Sequence, residues 1–340
     1  MANARNTDFT LLDYTNEINK FPKVWDLITG MGLFATHNIE TTVAQVEFVQ
    51  EKLADIPARA RGGERNYVSS EDAKTVNLTV PFYPLDKAIR AADIQSFREY
   101  GTGNTSKTVM TEVARVMKRI RSSHAQLGEK LMAKAIQGVG LNAAGVGSDI
   151  NYYTAFGQTK TSIDIKLDSA DIDPSVSAEA GRRQIIKAAQ DETGSHAVYS
   201  VIAICGEQFF SNLIANVNIE EAYKYFESEQ EPLRRRLGMG SENDSVRVFR
   251  YKGVTYVEDL SGNFPADKAY MFPESMDEMF RVYFAPADDV AYANTKGQEL
   301  YLWYKEDNFN RKHKVETETS MLCVNTRPEL VIELVDTTTV

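Results

Sequence analysis

The residues that most often carry chemistry in proteins are scattered through this sequence. Its four histidines are His37, His124, His196 and His313. None belongs to a metal-ligand spacing such as His-Glu-x-x-His, so a structural role outweighs a catalytic one at each of them. The sequence also contains no Gly-x-Ser-x-Gly nucleophile elbow and no Gly-Lys-Ser or Gly-Lys-Thr phosphate loop. These observations predict neither an acyl-transfer nor a phosphate-binding centre.

Glycines and carboxylates cluster elsewhere, without the order that a binding loop requires. The glycine-rich stretch from Gly138 to Gly147 follows a predicted helix rather than a strand, so it does not fit a dinucleotide-binding loop. The aspartates between Asp164 and Asp173 lack the glycine and the final glutamate of a calcium loop, and we interpret them as a solvated surface or as helix caps. We therefore predict no catalytic residue, no cofactor and no metal, which favours a structural protein.

The amino-acid composition further narrows the class of protein. The 340 residues carry a net charge of -10, with 43% hydrophobic and 10% aromatic residues, which is typical of a folded protein whose main task is not to neutralise nucleic-acid phosphates. Cys205 and Cys323 lie in apolar, strand-like stretches, which predicts buried free thiols and a reducing compartment. Residues 1–9 lack the order of a signal peptide, and no apolar run is long enough for a membrane span. We expect cytosolic synthesis, no membrane contact and, from the length, two domains.

One long amphipathic helix over residues 107–137 must organise the chain. Its apolar residues, from Val109 to Ile136, recur mostly at three- and four-residue steps, and Gly138 ends the pattern. At 1.5 Å per residue such a helix spans roughly 45 Å. The charged residues of its polar face are the acidic Glu112 and Glu129 and the basic Lys107, Arg115, Lys118, Arg119, Arg121, Lys130 and Lys134. This basic face fits either the solvated side of a core helix or a strut along the wall of an assembly.

A long polar excursion precedes that helix. The stretches Val43 to Val49 and Val76 to Val80 have the β-branched, alternating pattern of strands. Between them lies a segment that has few apolar residues to bury and includes Arg59, Arg61, Gly62, Gly63 and Arg65. It is either an ordinary exposed loop or an arm that reaches onto a neighbouring molecule.

The rest of the pattern predicts a mixed α+β protein. We expect a short helix over 85–100, and a strand, residues 315–324, with Glu316, Glu318 and Ser320 on a solvated face. A nearly continuous apolar run over 197–205 predicts a strand covered on both faces. Further helices are expected at 175–191, from 206 and at 219–226, and further strands at 162–166, 246–250, 254–258, 268–272, 280–284, 300–304 and 330–335.

The order of these elements resembles the major capsid proteins of lambda-type phages, which adopt the Hong Kong 97-like capsid fold. The resemblance rests on the N-terminal arm, the hairpin with Ala60-Arg61-Gly62-Gly63 and the long helix, in that order over about 300 residues. The ending is its most specific part: Asp307-Asn-Phe-Asn-Arg311, the strand Val315 to Val324, and then Thr326-Arg-Pro-Glu-Leu-Val331.

The resemblance implies a division of the chain. Residues 1–37 would form an N-terminal arm and residues 38–83 an extended loop that lies over an adjacent subunit. Residues 84–192 and 285–324 would form a peripheral domain that contains the long helix as its spine. Residues 193–284 and 325–340 would form an axial domain, whose loops meet at the centres of hexamers and pentamers.

The resemblance also implies a function and partners. The chain would be the major capsid protein of a tailed double-stranded DNA phage, assembled in the host cytoplasm through hexamers and pentamers into the icosahedral head of the virion. A scaffold, a portal and possible decoration proteins would be its partners. The residues expected to contact a neighbouring subunit are Arg59, Arg61, Gly62, Gly63 and Arg65. The residues expected to face packaged DNA are Arg115, Lys118 and Arg119.

Two alternatives stay open at this point. An encapsulin-like compartment shell shares the fold but encloses enzyme cargo rather than DNA. A soluble α+β enzyme without a sequence motif would show one deep pocket with convergent groups of perturbed pKa. No Lys and Asn pair in a buried, activating site is identifiable, so we do not predict covalent cross-linking of subunits.

Overall fold

The computed structural model describes residues 12–13, 18, 27–50, 72–95, 109–141, 149–167, 173–193, 200–226, 246–274, 276, 278–306 and 311–336. Its helices are α1 (Leu27–Met31), α2 (Val109–Ile136), α3 (Tyr152–Phe156), α4 (Pro174–Thr193), α5 (Glu207–Ala215) and α6 (Val217–Phe226). Its strands are β1 (Leu12–Asp13), β2 (Phe34–Asn38), β3 (Val43–Gln50), β4 (Asp72–Thr79), β5 (Phe82–Pro84), β6 (Lys87–Arg90), β7 (Val139–Gly140), β8 (Ile150–Asn151), β9 (Thr161–Asp164), β10 (Val201–Gly206), β11 (Val248–Tyr251), β12 (Val254–Asp259), β13 (Lys268–Pro273), β14 (Phe280–Phe284), β15 (Tyr301–Glu306), β16 (Lys312–Asn325) and β17 (Ile332–Val335). The α+β class is as predicted.

A seven-stranded sheet forms around the long strand β16. The strand order is β1-β15-β16-β14-β2, and β5 and β6 also pair with β16. The pairing is antiparallel throughout except between β14 and β2, which run parallel. This sheet therefore joins strands from the first forty residues of the chain with strands that lie after residue 280.

A six-stranded sheet has the order β11-β12-β10-β13-β17-β9. All six residues of its central strand β10 are buried. Ile202 and Ile204 face one hydrophobic cluster, whereas Val201 and Ala203 face another that includes Phe209 of α5. The alternation confirms the predicted strand covered on both faces, and α4, α5 and α6 confirm the predicted helices.

Helix α2 confirms the long amphipathic helix. Its 28 residues span about 42 Å, and Gly138 follows it with φ +84°. Val113 and Val116 in its first half pack in one cluster with Leu302 and Val315 of the seven-stranded sheet. The second half packs into the largest cluster of the molecule. One face of the seven-stranded sheet therefore lies against this helix.

The predicted hairpin is confirmed in the part that the structure describes. Strands β3 and β4 pair antiparallel from Val43 opposite Thr79 to Gln50 opposite Asp72. Ala44 and Val46 are buried at its base, where they join the largest cluster. The segment with Arg59, Arg61, Gly62, Gly63 and Arg65 lies outside the described residues.

One sequence prediction is wrong and another holds only in part. The expected helix over residues 85–100 is replaced in its described part by the strand Lys87–Arg90, which pairs with β16 and buries Ile89, and by a 3-10 helix over Ala91–Asp93. Long-range strand pairing thus outweighs local helix propensity there. The expected solvated face of β16 is retained at Glu316, whose side chain is 46% exposed, but Glu318 and Ser320 are only 8% and 6% exposed. The loop 285–300 covers Glu318, since Asp288 N donates to Glu318 Oε1 at 2.7 Å.

Strand pairing also differs from the division that the sequence suggested. Strand β14, from the stretch 193–284, pairs with β16 in the seven-stranded sheet. Strand β2 belongs to the same sheet because it pairs with β14. Strand β9, from the stretch 84–192, pairs parallel with β17 in the six-stranded sheet. Single strands of these stretches therefore pair in the sheet of the other domain.

Candidate assembly surfaces

The basic residues singled out on α2 share one exposed face. Arg115, Lys118 and Arg119 are separated by three and four residues and are all exposed to solvent. Arg115 donates from Nη2 to Glu112 Oε1 at 2.6 Å, and this hydrogen bond raises the pKa of the guanidinium. Lys118 and Arg119 therefore contribute more of the uncompensated positive charge. Their contact with DNA stays a prediction.

Two charged residues expected on that polar face are buried instead. The Arg121 side chain is 5% exposed, and its Nη2 lies 3.2 Å from Glu299 Oε1 in the loop before β15. Glu129 is 4% exposed. Buried charges require such partners, and the partners lie more than 90 residues away in sequence. No local signal could have identified these contacts.

Glu129 fastens the N-terminal helix α1 to α2. Its Oε1 accepts a hydrogen bond from Thr29 N at 2.8 Å and another from the Thr29 hydroxyl. Its Oε2 accepts one from Ile28 N at 3.2 Å. The carboxylate thereby satisfies backbone N–H groups in the first turn of α1 that have no partner within the helix.

A cleft of about 300 Å³ lies between α1, α2 and the sheet strands β2, β14 and β16. His124 lines this cleft, and its Nε2 lies 3.3 Å from Thr317 Oγ1 of β16. Burial, and secondarily the Arg121 charge, lowers the pKa of His124 to about 4. Arg121 also lines the cleft, where it is ion-paired with Glu299. The Thr317 hydroxyl donates its proton to Leu85 O, so it does not donate to His124 as a nucleophile would donate to its base.

An acidic cavity of about 200 Å³ lies on the opposite side of the seven-stranded sheet. It is lined by Pro84, Asp86, Asp288, Asp289, Trp303, Glu316, Thr317 and Glu318. Lys314 forms ion pairs with Asp86, at 3.3 Å, and with Glu316. Burial raises the pKa of Glu318, and the negative charges of Asp288 and Asp289 raise it further. Sequence reasoning missed this cavity, because its acids come from three distant segments.

The described ranges contain neither a metal-binding cluster nor a membrane-spanning helix. No group of three or more His, Cys, Asp or Glu residues there is arranged to hold a metal ion. None of the helices described combines the length and the apolar character needed to cross a membrane.

The fold is that of known capsid proteins. The structure is similar to one titled "Asymmetric unit of bacteriophage PhiM1 mature capsid", with a TM-score of 0.55 and 13% sequence identity over 94% of this chain and 90% of that chain. A likeness at this identity shows the fold alone. It confirms the Hong Kong 97-like architecture expected from the order of the elements.

The function of this chain follows from proteins that are related to it in sequence. The model of the family "Phage major capsid protein E" matches residues 10–335. The major capsid protein of Pseudomonas phage KPP10 is 27% identical over 96% of both chains, and that of Salmonella phage Felix O1 is 24% identical over 98% of both. The chain therefore belongs to the phage major capsid protein E family, and it is the major capsid protein of a tailed phage, the non-enzymatic component from which the icosahedral head of the virion is built.

Proposed function

We propose that this capsid protein assembles through hexamers and pentamers, guided by separate scaffold and portal proteins, around double-stranded DNA. Self-association follows from membership in a capsid family, since a shell consists of many copies of its main protein. The observation that carries the proposal is the match of the family model over residues 10–335, which includes both sheets, the hairpin and α2. Weak contacts repeated among several neighbours are sufficient to close such a shell.

We assign the two sheets to the two domains of the subunit. The peripheral domain comprises the seven-stranded sheet with α2 as its spine, and the axial domain comprises the six-stranded sheet with α4, α5 and α6. Relative to the boundaries suggested by the sequence, this assignment moves β2 and β14 to the peripheral domain and β9 to the axial domain. The support for it is hydrogen-bonded pairing within each sheet.

The tip of the hairpin β3–β4 is the inter-subunit contact in this proposal, through Arg59, Arg61, Gly62, Gly63 and Arg65. Support comes from the hairpin itself, because an isolated pair of strands gains little stability alone, and the described residues Ala44, Val46 and Leu78 anchor its base in the core. Reversing the charges with Arg59→Glu and Arg61→Glu should leave soluble subunits that form few shells. Shells of normal yield and shape from this variant would refute the contact.

The basic face of α2 is the DNA-facing surface in this proposal. Its support is the exposure of Arg115, Lys118 and Arg119 on one face of the spine. The double variant Lys118→Glu and Arg119→Glu should form heads that hold less DNA per particle, since it replaces attraction to phosphate by repulsion. The double variant Lys187→Glu and Arg250→Glu, at two exposed cations on α4 and β11, reverses the same number of charges away from this face and is the control. Heads of the double variant with normal DNA content would count against the assignment.

The contents of the particles separate this function from that of a compartment shell. We expect particles purified from infected host cells to contain double-stranded DNA, detectable by absorbance at 260 nm after nuclease treatment of the exterior. Particles filled with an enzyme and free of DNA would favour the encapsulin-like alternative instead.

A further inference from the structure

The cleft beside α2 has a hollow wall where two residues of that helix have little or no side chain. Ala125 and Gly128 line it from α2, and Met321 of β16 lines it from the sheet. A Cβ built at Gly128 would lie at an ordinary contact distance, 3.6 Å, from Met321 Cε. Glycine in a helix interior is destabilising relative to alanine, and the packing of the subunit does not require it here. Its effect is to widen the cleft.

His124, one helical turn before Gly128, carries a hydrogen-bond acceptor that the described residues do not use. The Thr317 hydroxyl donates its proton to Leu85 O, so the histidine is the donor in the 3.3 Å contact between His124 Nε2 and Thr317 Oγ1. The imidazole is neutral at pH 7, because burial lowers its pKa to about 4, and its lone pair is therefore on Nδ1. This atom is shielded from solvent and has no hydrogen-bond partner among the described residues. A buried acceptor is destabilising unless a bound molecule supplies a donor.

Much of the remaining lining of the cleft is apolar. Hydrocarbon surface comes from Leu33, Phe34, Met132, Val282 and Phe284. The charged residues of the lining, Arg121 and Glu299, pair with each other at 3.2 Å, so an ionic ligand would lose its hydration without gaining a partner ion. The volume of about 300 Å³ is sufficient for a small molecule, since an apolar cavity of about 150 Å³ accommodates benzene.

We propose that this cleft binds a small neutral molecule that has an apolar body and one hydroxyl or N–H donor. The donor binds His124 Nδ1, and the apolar body lies beside Ala125 and Gly128, against Met321. The site is formed within one subunit, so its occupancy does not depend on the proposed assembly of shells. A bound molecule contacts α1, α2 and the sheet at once, and it therefore stabilises their packing by mass action.

Phenol and toluene test the proposal, because they have nearly the same shape but only phenol has a donor. Calorimetric titration of the full chain should give a dissociation constant for phenol at least about ten-fold below that for toluene, since only phenol makes the hydrogen bond to Nδ1. A purely apolar cavity would prefer toluene, which loses less hydration on binding. No binding of phenol at millimolar concentrations, or tighter binding of toluene, would overturn the proposal.

Two substitutions assign the binding to this cleft. His124→Leu removes the acceptor, and toluene should then bind at least as tightly as phenol. Ala125→Leu fills the hollow and should abolish binding of both compounds, whereas Ala180→Leu adds the same atoms on the exposed face of α4 and should leave both affinities unchanged. Unchanged affinity for phenol in either cleft variant would overturn the proposal. Should either cleft variant fail to fold, hydrogen exchange on the unaltered chain decides.

Hydrogen exchange locates the bound molecule without any substitution. At about ten times its dissociation constant, phenol should slow exchange about ten-fold in peptides that cover residues 27–31, because opening of α1 releases the ligand. Peptides from β11 and β12 should exchange as before. Unchanged exchange in α1 would overturn the proposed placement. A chain that binds phenol in this way but never assembles would instead refute the proposed function alone.

Discussion

The contact between Glu129 and helix α1 provides a sharp test of the packing. Two backbone donors, Ile28 N and Thr29 N, bind the carboxylate at 3.2 and 2.8 Å. In Glu129→Gln the shape is retained, but the amide nitrogen cannot accept a hydrogen bond, so one of the two backbone bonds is lost. A hydrogen bond to a charged group contributes about 1.5–3 kcal/mol.

The expected result is local opening of α1. A loss of about 2 kcal/mol corresponds to roughly 30-fold faster hydrogen exchange at the amides of Ile28 and Thr29. Glu129→Ala removes both bonds and should accelerate exchange further. Hydrogen exchange followed by mass spectrometry on peptides that cover residues 27–31 measures both effects. Amides in the six-stranded sheet should exchange as before.

Glu112→Gln is the matched control, since Glu112 is a second buried acid on the same helix but binds the exposed Arg115. Its α1 amides should exchange at the rate of the unaltered protein. Equal exchange in Glu129→Gln and in the unaltered chain would refute the view that this carboxylate holds the N-terminal helix.

Three further results are expected. Glu299→Ala should lower the free energy of unfolding in urea by about 3 kcal/mol, because it leaves the buried Arg121 guanidinium without this partner, and a change below about 0.5 kcal/mol would contradict the ion pair. Gly128→Ala should be tolerated and should stabilise α2 by up to about 1 kcal/mol, because an added Cβ would lie at an ordinary contact distance of 3.6 Å from Met321 Cε. By contrast, Gly297→Ala should fail to give soluble protein, because its Cβ would lie 2.1 Å from Phe284 O. The pKa of His124 is about 4 in the folded state and near 6.5 in the unfolded state, so the free energy of unfolding should be highest above pH 6.5 and fall by up to about 3 kcal/mol as the pH drops toward 4. His124→Gln should flatten that part of a plot of melting temperature against pH. An unchanged plot would contradict the argument that burial lowers this pKa.

Elements with a strong local pattern could be predicted from the sequence. Helix α2 was identifiable because its apolar residues repeat over 28 positions, and β10 because its apolar run is short and continuous. The strands predicted at 246–250 and 254–258 were also identifiable, and Gly253 in the turn between them has a positive φ of +80°. In each case the information lies within a few residues of the element.

Features that depend on distant residues could not be predicted. Strand β6 contains the same kinds of residue as a short helix, and only its pairing with β16 decides between them. The burial of Glu318 depends on the loop 285–300, and the acidic cavity joins residues 84–86, 288–289 and 303–318. The pairings of β2 with β14 and of β9 with β17 likewise join segments far apart in the chain.

The most direct test of the central claim is the size of the assembled particle. We would express the chain alone and with its neighbouring phage genes, separate the soluble fraction by sedimentation and image it by negative-stain electron microscopy. Closed shells, tubes or capsomer rings are the expected result. A monomer or small dimer, even with the neighbouring gene products present, would contradict the account of this chain as a self-assembling capsid protein.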